Sequence, residues 1–471
     1  MTGLLALNVV ILIYFAVLNI LYLVLIIVAF RRMRTYVRRL RPVHIDDLVS
    51  ASEGLSMSLL VPAYNEAETI IDSVRSLLTL RYPDYEIIII NDGSKDATLV
   101  RLISAFELRR IERVATSSVA TQPVGQVYQS RRHPNLYVVD KENGGKADAL
   151  NAGLNYSRGA IISALDADTL LEPDALARLV RPFLEDSTTV AVGGIIRIVN
   201  GCRVEDGYVT DIRLPKKILP RFQVLEYLRA FLTFRVGWES LSATLIISGA
   251  FGAFRRSTVE EVRGFNPRTI AEDMEMVIRL HRHCRDNDIP YRITFIADPV
   301  AWTQAPETVA QLAGQRNRWQ RGLAQVLVIH RGMIGRPRYG VPGVVAMPYY
   351  LVFELFGPVV ELIGWVAIIF AVASGAVPPA FVVSFFVLAV LLGSVYSVAA
   401  VALEELSFRR YRRFSDLLRV LGLALIESFG YRQLTTFWRL RGLVSAMRGD
   451  TSWGEMERTG FNNAASRAQA R

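Results

Sequence analysis

Glu86-Ile87-Ile88-Ile89-Ile90-Asn91-Asp92-Gly93-Ser94 decides the fold of this 471-residue chain. Four consecutive isoleucines bounded by turn-forming residues read as a buried strand, because β-branched side chains suit a pleated surface covered on both faces. The polar residues that follow mark the carboxyl end of that strand, where sheets of this kind collect their ligands.

The same pattern repeats outward. Ser58 to Ala63, Leu136 to Val139, Ala160 to Leu165 and Val190 to Ile198 are further strand-like runs. Glu66 to Leu80, Ala97 to Glu107, Lys146 to Tyr156 and Asp174 to Leu184 read as the helices between them. This alternation predicts an α/β domain with a parallel sheet. Between Arg109 and Pro134 the rhythm is broken by Thr, Ser, Gln and Pro, which predicts an inserted surface loop.

Hydrophobic residues make up 51% of the chain and its mean hydropathy is +0.28, too apolar for an ordinary soluble enzyme. Leu4 to Phe30 carries no charged side chain and as a helix is about 40 Å long, enough to cross a bilayer. Arg31, Arg32, Arg34, Arg38, Arg39 and Arg41 follow it, which by the positive-inside rule keeps the next domain cytoplasmic and argues against a cleaved signal peptide. No Lys or Arg occurs from Tyr339 to Phe408, and Pro378-Pro379 divides that stretch into two helices. Arg409, Arg410, Arg412 and Arg413 then form another basic cluster, and residues 416–447 read as a re-entrant or interfacial hairpin. The expected organisation is a membrane helix over 1–31, a basic linker over 32–54 and a cytoplasmic catalytic domain over 55–310. Interfacial helices over 311–340, a membrane hairpin over 341–405 and a cytoplasmic, interfacial or re-entrant segment over 406–471 complete it. The net charge of +10 sits mostly in juxtamembrane clusters that meet anionic headgroups, so it calls for no nucleic acid. Cys202 and Cys284 both fall in the segment assigned to the reducing cytosol, where a structural disulfide is not expected.

Five polar motifs carry the chemistry: Pro62-Ala63-Tyr64-Asn65-Glu66, Asn91-Asp92-Gly93-Ser94, Asp166-Ala167-Asp168, Glu272-Asp273 and Gln315-Arg316-Asn317-Arg318-Trp319. Asp166 and Asp168 follow a strand and can place hard oxygens on Mg2+ or Mn2+ while a diphosphate fills the remaining positions. Asp92 supplies a third acid, suited to the base or ribose of a nucleotide. Asn143-Gly144-Gly145-Lys146 opens a helix and turns backbone N–H groups and one ammonium toward the same pocket, although a plain helix cap reads as well. Asp273 fits a general base, and Glu272 and Asp273 equally fit a pair of acids complementing the helix dipole. Gln315, Arg318 and Trp319 share one helix face, with Trp319 offering a flat surface to a sugar and Arg318 a charge to the diphosphate, and an interfacial helix with an aromatic anchor reads as well. Trp302 is a second stacking candidate. Glu354 and Glu361, two turns apart, either line a polar path or pair with arginines. His281, His283 and Cys284 share a helix, but a zinc site there lacks converging ligands.

These motifs resemble the membrane-embedded family 2 glycosyltransferases, the group of bacterial cellulose, hyaluronan, chitin-oligosaccharide and poly-β-1,6-N-acetylglucosamine synthases. The resemblance covers roughly residues 55 to 400. It implies a GT-A fold inserted between transmembrane helices, with Ala63, Tyr64, Glu66, Asp92, Lys146 and Asp166 on the nucleotide sugar and Asp166 and Asp168 on a metal. It further implies Asp273 as base, and Glu272, Trp302, Gln315, Arg318 and Trp319 toward acceptor and diphosphate. Ser248-Gly249-Ala250-Phe251-Gly252 resembles the segment at the acceptor end of the pocket. Ala271 stands where many members have Thr, and no segment after Glu404 resembles the cyclic-di-GMP-binding barrel of cellulose synthase, which points away from cellulose. The implied activity is inverting, metal-dependent transfer from a UDP-sugar to a β-linked exopolysaccharide at the cell membrane. Transfer of a single sugar to a lipid acceptor is the alternative, and a non-catalytic sugar-nucleotide sensor a third.

Overall fold

The computed structural model describes residues 2–40, 50, 54–205, 207–408 and 414–450. Arg41, Arg409, Arg410, Arg412 and Arg413, invoked above, lie outside these residues. The described residues fall into two compact units. One contains the residues up to Arg38, Leu214–Ala243 and those from Pro306 on; the other contains Arg39–Arg213 and Thr244–Ala305.

The second unit is α/β. Its strands in chain order are β1 (Met57–Ala63), β2 (Tyr85–Asp92), β3 (Leu108–Ile111), β4 (Val124–Ser130), β5 (Leu136–Lys141), β6 (Ile161–Leu165), β7 (Leu170–Leu171), β8 (Thr189–Ile198), β9 (Arg203–Glu205), β10 (Tyr208–Asp211), β11 (Phe251–Arg255) and β12 (Arg292–Thr303). Ten form one sheet in the order β3-β4-β5-β2-β1-β6-β11-β8-β12-β7, and β9 and β10 form a separate hairpin. Neighbours from β5 to β6 are parallel, as is the β8–β12 pair. β11 runs antiparallel between β6 and β8, and both sheet edges are antiparallel. The sheet is therefore mixed, where the sequence predicts a parallel one.

Ile87, Ile88, Ile89 and Ile90 of β2 are fully buried, each stabilising the fold by roughly 1.5–3 kcal/mol relative to exposure. The helix Lys146–Tyr156 lies on this floor through small residues. A Cβ at Gly153 would stand 2.9 Å from Ile90 Cδ1 and 3.1 Å from Leu60 Cδ2, so the helix approaches the sheet closely. Its first residue, Lys146, is thereby fixed at the carboxyl ends of the parallel strands.

The surface loop predicted between Arg109 and Pro134 is instead largely sheet. β3 and β4 pair antiparallel and β4 pairs with β5, setting Val127 against Val139 and Tyr128 against Val138. Edge strands carry exposed polar side chains that blunt further pairing, here Arg109 and Arg110, and that composition hid them.

The other unit is helical. Two of its helices, Gly3–Arg38 and Pro379–Phe408, are long and apolar enough to cross a membrane, and Pro342–Leu355 with Gly357–Ala373 form a third candidate bent by 46°. Pro379 begins its helix as its first residue. The bend was not foreseen, and its cause is Pro358, which has no N–H for the carbonyl of Glu354. Gln320 Nε2 donates instead to the carbonyls of Glu354 (3.3 Å) and Leu355 (2.9 Å), and Arg439 Nη2 also donates to that of Glu354.

Glu354 and Glu361 pair with arginines of the helix Tyr431–Met447: Arg439 at 3.1 Å and Arg432 at 3.4 Å. Of the two readings offered above, pairing is the one observed. Residues 414–426 and 431–447 are two helices, and at Gly442 the second approaches Val309–Ile329 so closely that a Cβ would lie 2.7 Å from Asn317 O. Leu214–Ala243, inside 55–310 in sequence, joins this unit through a helical run from Ile218 to Ser240. There Phe222 stacks on Tyr431 at 4.7 Å and Arg229 pairs with Glu427 at 2.9 Å.

Candidate active site

The loops after β1 and β2 clasp each other. Asn65 adopts a positive φ of 56°, its N–H donates to Ser94 Oγ (3.1 Å), and its Oδ1 accepts from Lys95 N (2.8 Å). Glu66 N donates to Thr98 Oγ1 (2.9 Å), while the buried Glu66 carboxylate accepts from Thr69 Oγ1 (2.8 Å). Ala63 is buried at the end of β1 and Tyr64 beyond it is 44% exposed, leaving its ring open to a ligand.

Asp92 departs from expectation. Its Oδ1 accepts from Lys141 Nζ (2.7 Å) and Gly144 N (3.0 Å), and its Oδ2 from Gly145 N (2.8 Å) and Asn143 Nδ2 (3.2 Å). Four donors fill the acceptor sites of one carboxylate, and the residue is 3% exposed. Asp92 therefore holds the Asn143–Gly145 turn and presents no free oxygen to a base or ribose. The Gly144 and Gly145 amides, expected to face the pocket, point down at Asp92. Gly145 has φ 85°, a conformation that favours glycine.

Lys146 is where the acidic motifs meet. Its Nζ lies 2.6 Å from Asp166 Oδ1 and 2.9 Å from Glu272 Oε1. Asp273, at the start of the helix Glu272–Asp286, accepts from Gly249 N (2.9 Å) through Oδ2 and from Met274 N (2.7 Å) through Oδ1. Gly249 closes the group: a Cβ there would stand 2.6 Å from Lys146 Nζ, 3.4 Å from Glu272 Oε1 and 3.5 Å from Asp273 Oδ2. Burial works against the Lys146 charge, yet the carboxylates of Asp166, Glu272 and Asp273 outweigh it and raise its pKa. Burial likewise raises the Glu272 carboxyl, with Lys146 opposing and Asp273 reinforcing the shift.

Asp168 is buried in the turn after β6, two residues from the half-buried Asp166. Among the described residues no three acidic, His or Cys side chains converge as a complete metal cage. The donor set nevertheless fits a hard cation completed by substrate oxygens, since Asp166 already holds a positive charge at 2.6 Å.

Trp302, the second stacking candidate, is buried. It is 2% exposed in β12, with its Nε1 donating to Glu172 Oε1 (2.7 Å), so no ring face is open to a sugar. Gln315, Arg318 and Trp319 belong to the helical unit, on a helix capped by Thr308, whose side chain accepts from Gln311 N (3.3 Å). Trp319 is 45% exposed, and the guanidinium of Arg316 stands 4.6 Å from its ring centre. Gln315 Oε1 is buried without a hydrogen-bond partner among the described residues.

His281 is no ligand. Its Nε2 lies 2.8 Å from the Thr244 carbonyl, which only accepts, so that nitrogen carries the proton and Nδ1 accepts from Tyr291 O–H (2.8 Å). Burial lowers its pKa to about 4. Among the described residues neither Cys202 nor Cys284 forms a disulfide.

Sequence reasoning missed Lys141 and Asp148 altogether. Lys141 stands opposite Asp92 in the β2–β5 register, which no sequence spacing reveals.

The model of the family described as glycosyltransferase-like family 2 matches residues 55–322, more than half of the chain. A poly-β-1,6-N-acetyl-D-glucosamine synthase of Staphylococcus epidermidis is 31% identical over 277 residues, 59% of this chain and 56% of that protein. A synthase of the same name from Staphylococcus aureus (strain COL) is 30% identical over 299 residues, 63% of this chain and 60% of that one. The match thus spans less than two thirds of either relative. A mannosyltransferase of Pyrobaculum calidifontis, solved with GDP-Man and Mn2+, shares the fold with a TM-score of 0.52 at 19% identity, covering 92% of this chain and 99% of that one. The mixed α/β sheet is thus a GT-A fold, and the chain belongs to the family 2 glycosyltransferases.

Proposed function

We propose that this protein is an inverting membrane glycosyltransferase that moves a sugar from a UDP-sugar onto a growing β-linked exopolysaccharide. The observation that carries the reading is the meeting of Asp166, Glu272 and Asp273 around Lys146 and Gly249. An acceptor hydroxyl attacks the anomeric carbon, the bond to the diphosphate breaks, and Asp273 Oδ takes the hydroxyl proton. The Gly249 N–H orients that carboxylate before the acceptor arrives. Lys146 offers its ammonium to the leaving diphosphate, exchanging carboxylate partners for phosphate oxygens. Ala63, Tyr64 and Glu66 frame the nucleotide end, with Tyr64 able to lie against the base. Asp166 and Asp168 would hold Mg2+ or Mn2+, which when bound neutralises charge on the diphosphate.

Gln315, Arg318 and Trp319 take the acceptor and diphosphate roles that their motif implies, supported by the open ring of Trp319 and by Gln315 Oε1, which has no hydrogen-bond partner among the described residues. Arg31, Arg32, Arg34 and Arg38 at the end of the first apolar helix favour a cytoplasmic catalytic unit in a multi-pass protein of the cell membrane. The Staphylococcus synthases, by their name, support a polysaccharide product, and hence processive extension coupled to passage across the bilayer. The test is product size. Detergent-solubilised protein given labelled UDP-sugars with Mg2+ or Mn2+ should yield polymer excluded from a gel column. An organic-extractable glycolipid as sole product would replace this reading with single addition to a lipid.

A further inference from the structure

Beneath the pocket lies a second lysine that the chemistry above does not use. The Lys141 side chain is fully buried at the end of β5. Its Nζ contacts Asp92 Oδ1 (2.7 Å), Asp148 Oδ1 (2.6 Å) and the carbonyl of Glu142 (2.5 Å). An ammonium has three N–H groups, and here three acceptors receive them. Only five of the 54 basic residues that are Lys or Arg are lysines, and two of the five sit at this turn. A planar guanidinium could not serve three acceptors converging on one point, so the compact cation has a geometric reason.

Each carboxylate that Lys141 holds acts on the turn that launches Lys146. Asp92 binds the Gly144 and Gly145 amides, and Asp148 accepts from Gln122 N (3.0 Å) while filling the space where a Gly144 Cβ would go. From the other side, a Cβ at Gly93 would stand 2.8 Å from Asn143 N, so the turn has no slack there either. We propose that Lys141 is a positioning residue for the donor end of the site, fixing the Asn143–Gly145 turn through Asp92 and Asp148 and so setting where Lys146 leaves the chain. This rests on the transferase reading for its functional consequence.

Lys141→Met alone strands two buried carboxylates, so the informative variant is the charge-balanced Lys141→Met/Asp148→Asn. The same exchange at a distant buried pair, Arg113→Met/Glu86→Gln (2.5 Å apart), controls for stability. Two readouts are taken: UDP affinity with donor KM and kcat, and hydrogen exchange of the Gly144 and Gly145 amides. The Lys141 variant should weaken UDP binding and raise donor KM on the order of tenfold to a hundredfold, with faster exchange at both amides. The control should change neither readout, whatever its effect on Tm. Unchanged exchange in a folded Lys141 variant overturns the positioning role, as does failure of both Lys141 variants to fold, which would assign the cluster to stability alone. Faster exchange with unaltered donor kinetics overturns the link to the site. If the unaltered chain binds no sugar nucleotide, the transferase reading fails, while exchange still decides whether Lys141 fixes the turn.

Discussion

Gly249→Ala separates chemistry from folding at the candidate site. The added Cβ would stand 2.6 Å from Lys146 Nζ but 3.4 Å and 3.5 Å from the Glu272 and Asp273 carboxylates. Only the ammonium is crowded, and it must retreat by about 1 Å to reach ordinary contact distance. That movement breaks its 2.6 Å contact with Asp166. A displacement of this size in a reacting group costs about 100-fold in rate, or about 2.7 kcal/mol of transition-state stabilisation. Stability should hardly change, because Gly249 is not among the positive-φ residues and the crowded atom ends a flexible chain. The assay is kcat/KM for sugar transfer in detergent alongside Tm. Unaltered kcat/KM would refute the placement of Lys146 at the reacting centre, and a collapse in Tm would refute the claim that only a side-chain tip must move.

Three further outcomes follow from particular contacts. His281 has its folded pKa depressed to about 4, below its ordinary 6.5, so its contribution is present above pH 6.5 and lost as pH falls toward 4. The wild-type chain should lose roughly 3 kcal/mol of stability across that window, and His281→Gln should flatten the profile of Tm against pH. Gln320→Leu leaves the Leu355 carbonyl without its donor at the bend and should cost about 1–3 kcal/mol in thermal melts. Glu172→Leu removes the partner of Trp302 Nε1, so it should lower Tm while leaving acceptor KM unchanged. A raised acceptor KM would return Trp302 to the sugar site.

How much of this was legible from sequence depended on burial. The strand β2 and the helix Lys146–Tyr156 were readable because continuous isoleucine and an alanine-rich run flanked by glycines leave few alternatives. Strands β3 and β4 were not, since edge strands carry arginine and glutamine on purpose of solubility, and a polar strand looks like a loop. Asp166, Glu272, Asp273 and Lys146 could be put forward from their motifs as candidates, and the structure brings them together. The partnership of Asp92 with Lys141 could not, because strand order sets which residues face one another across a ladder. The burial of Trp302 in β12 was hidden for a related reason: the stretch around it shows no period-2 pattern. The bend at Phe356 was present in the sequence as Gly357-Pro358, a signal that an apolar run of membrane length obscures.

The most direct test of the transferase account is labelled-sugar transfer from a UDP-sugar by Asp273→Asn beside the unaltered chain, with UDP affinity measured on both. The carboxamide keeps one oxygen to accept from Gly249 N, loses the acceptor for Met274 N and cannot take a proton, so turnover should fall by about 10²- to 10⁴-fold with UDP binding unchanged and a stability loss limited to one hydrogen bond, about 1 kcal/mol. Equal turnover by the two proteins would contradict the assignment of Asp273 as the base and, with it, the chemistry proposed for this site.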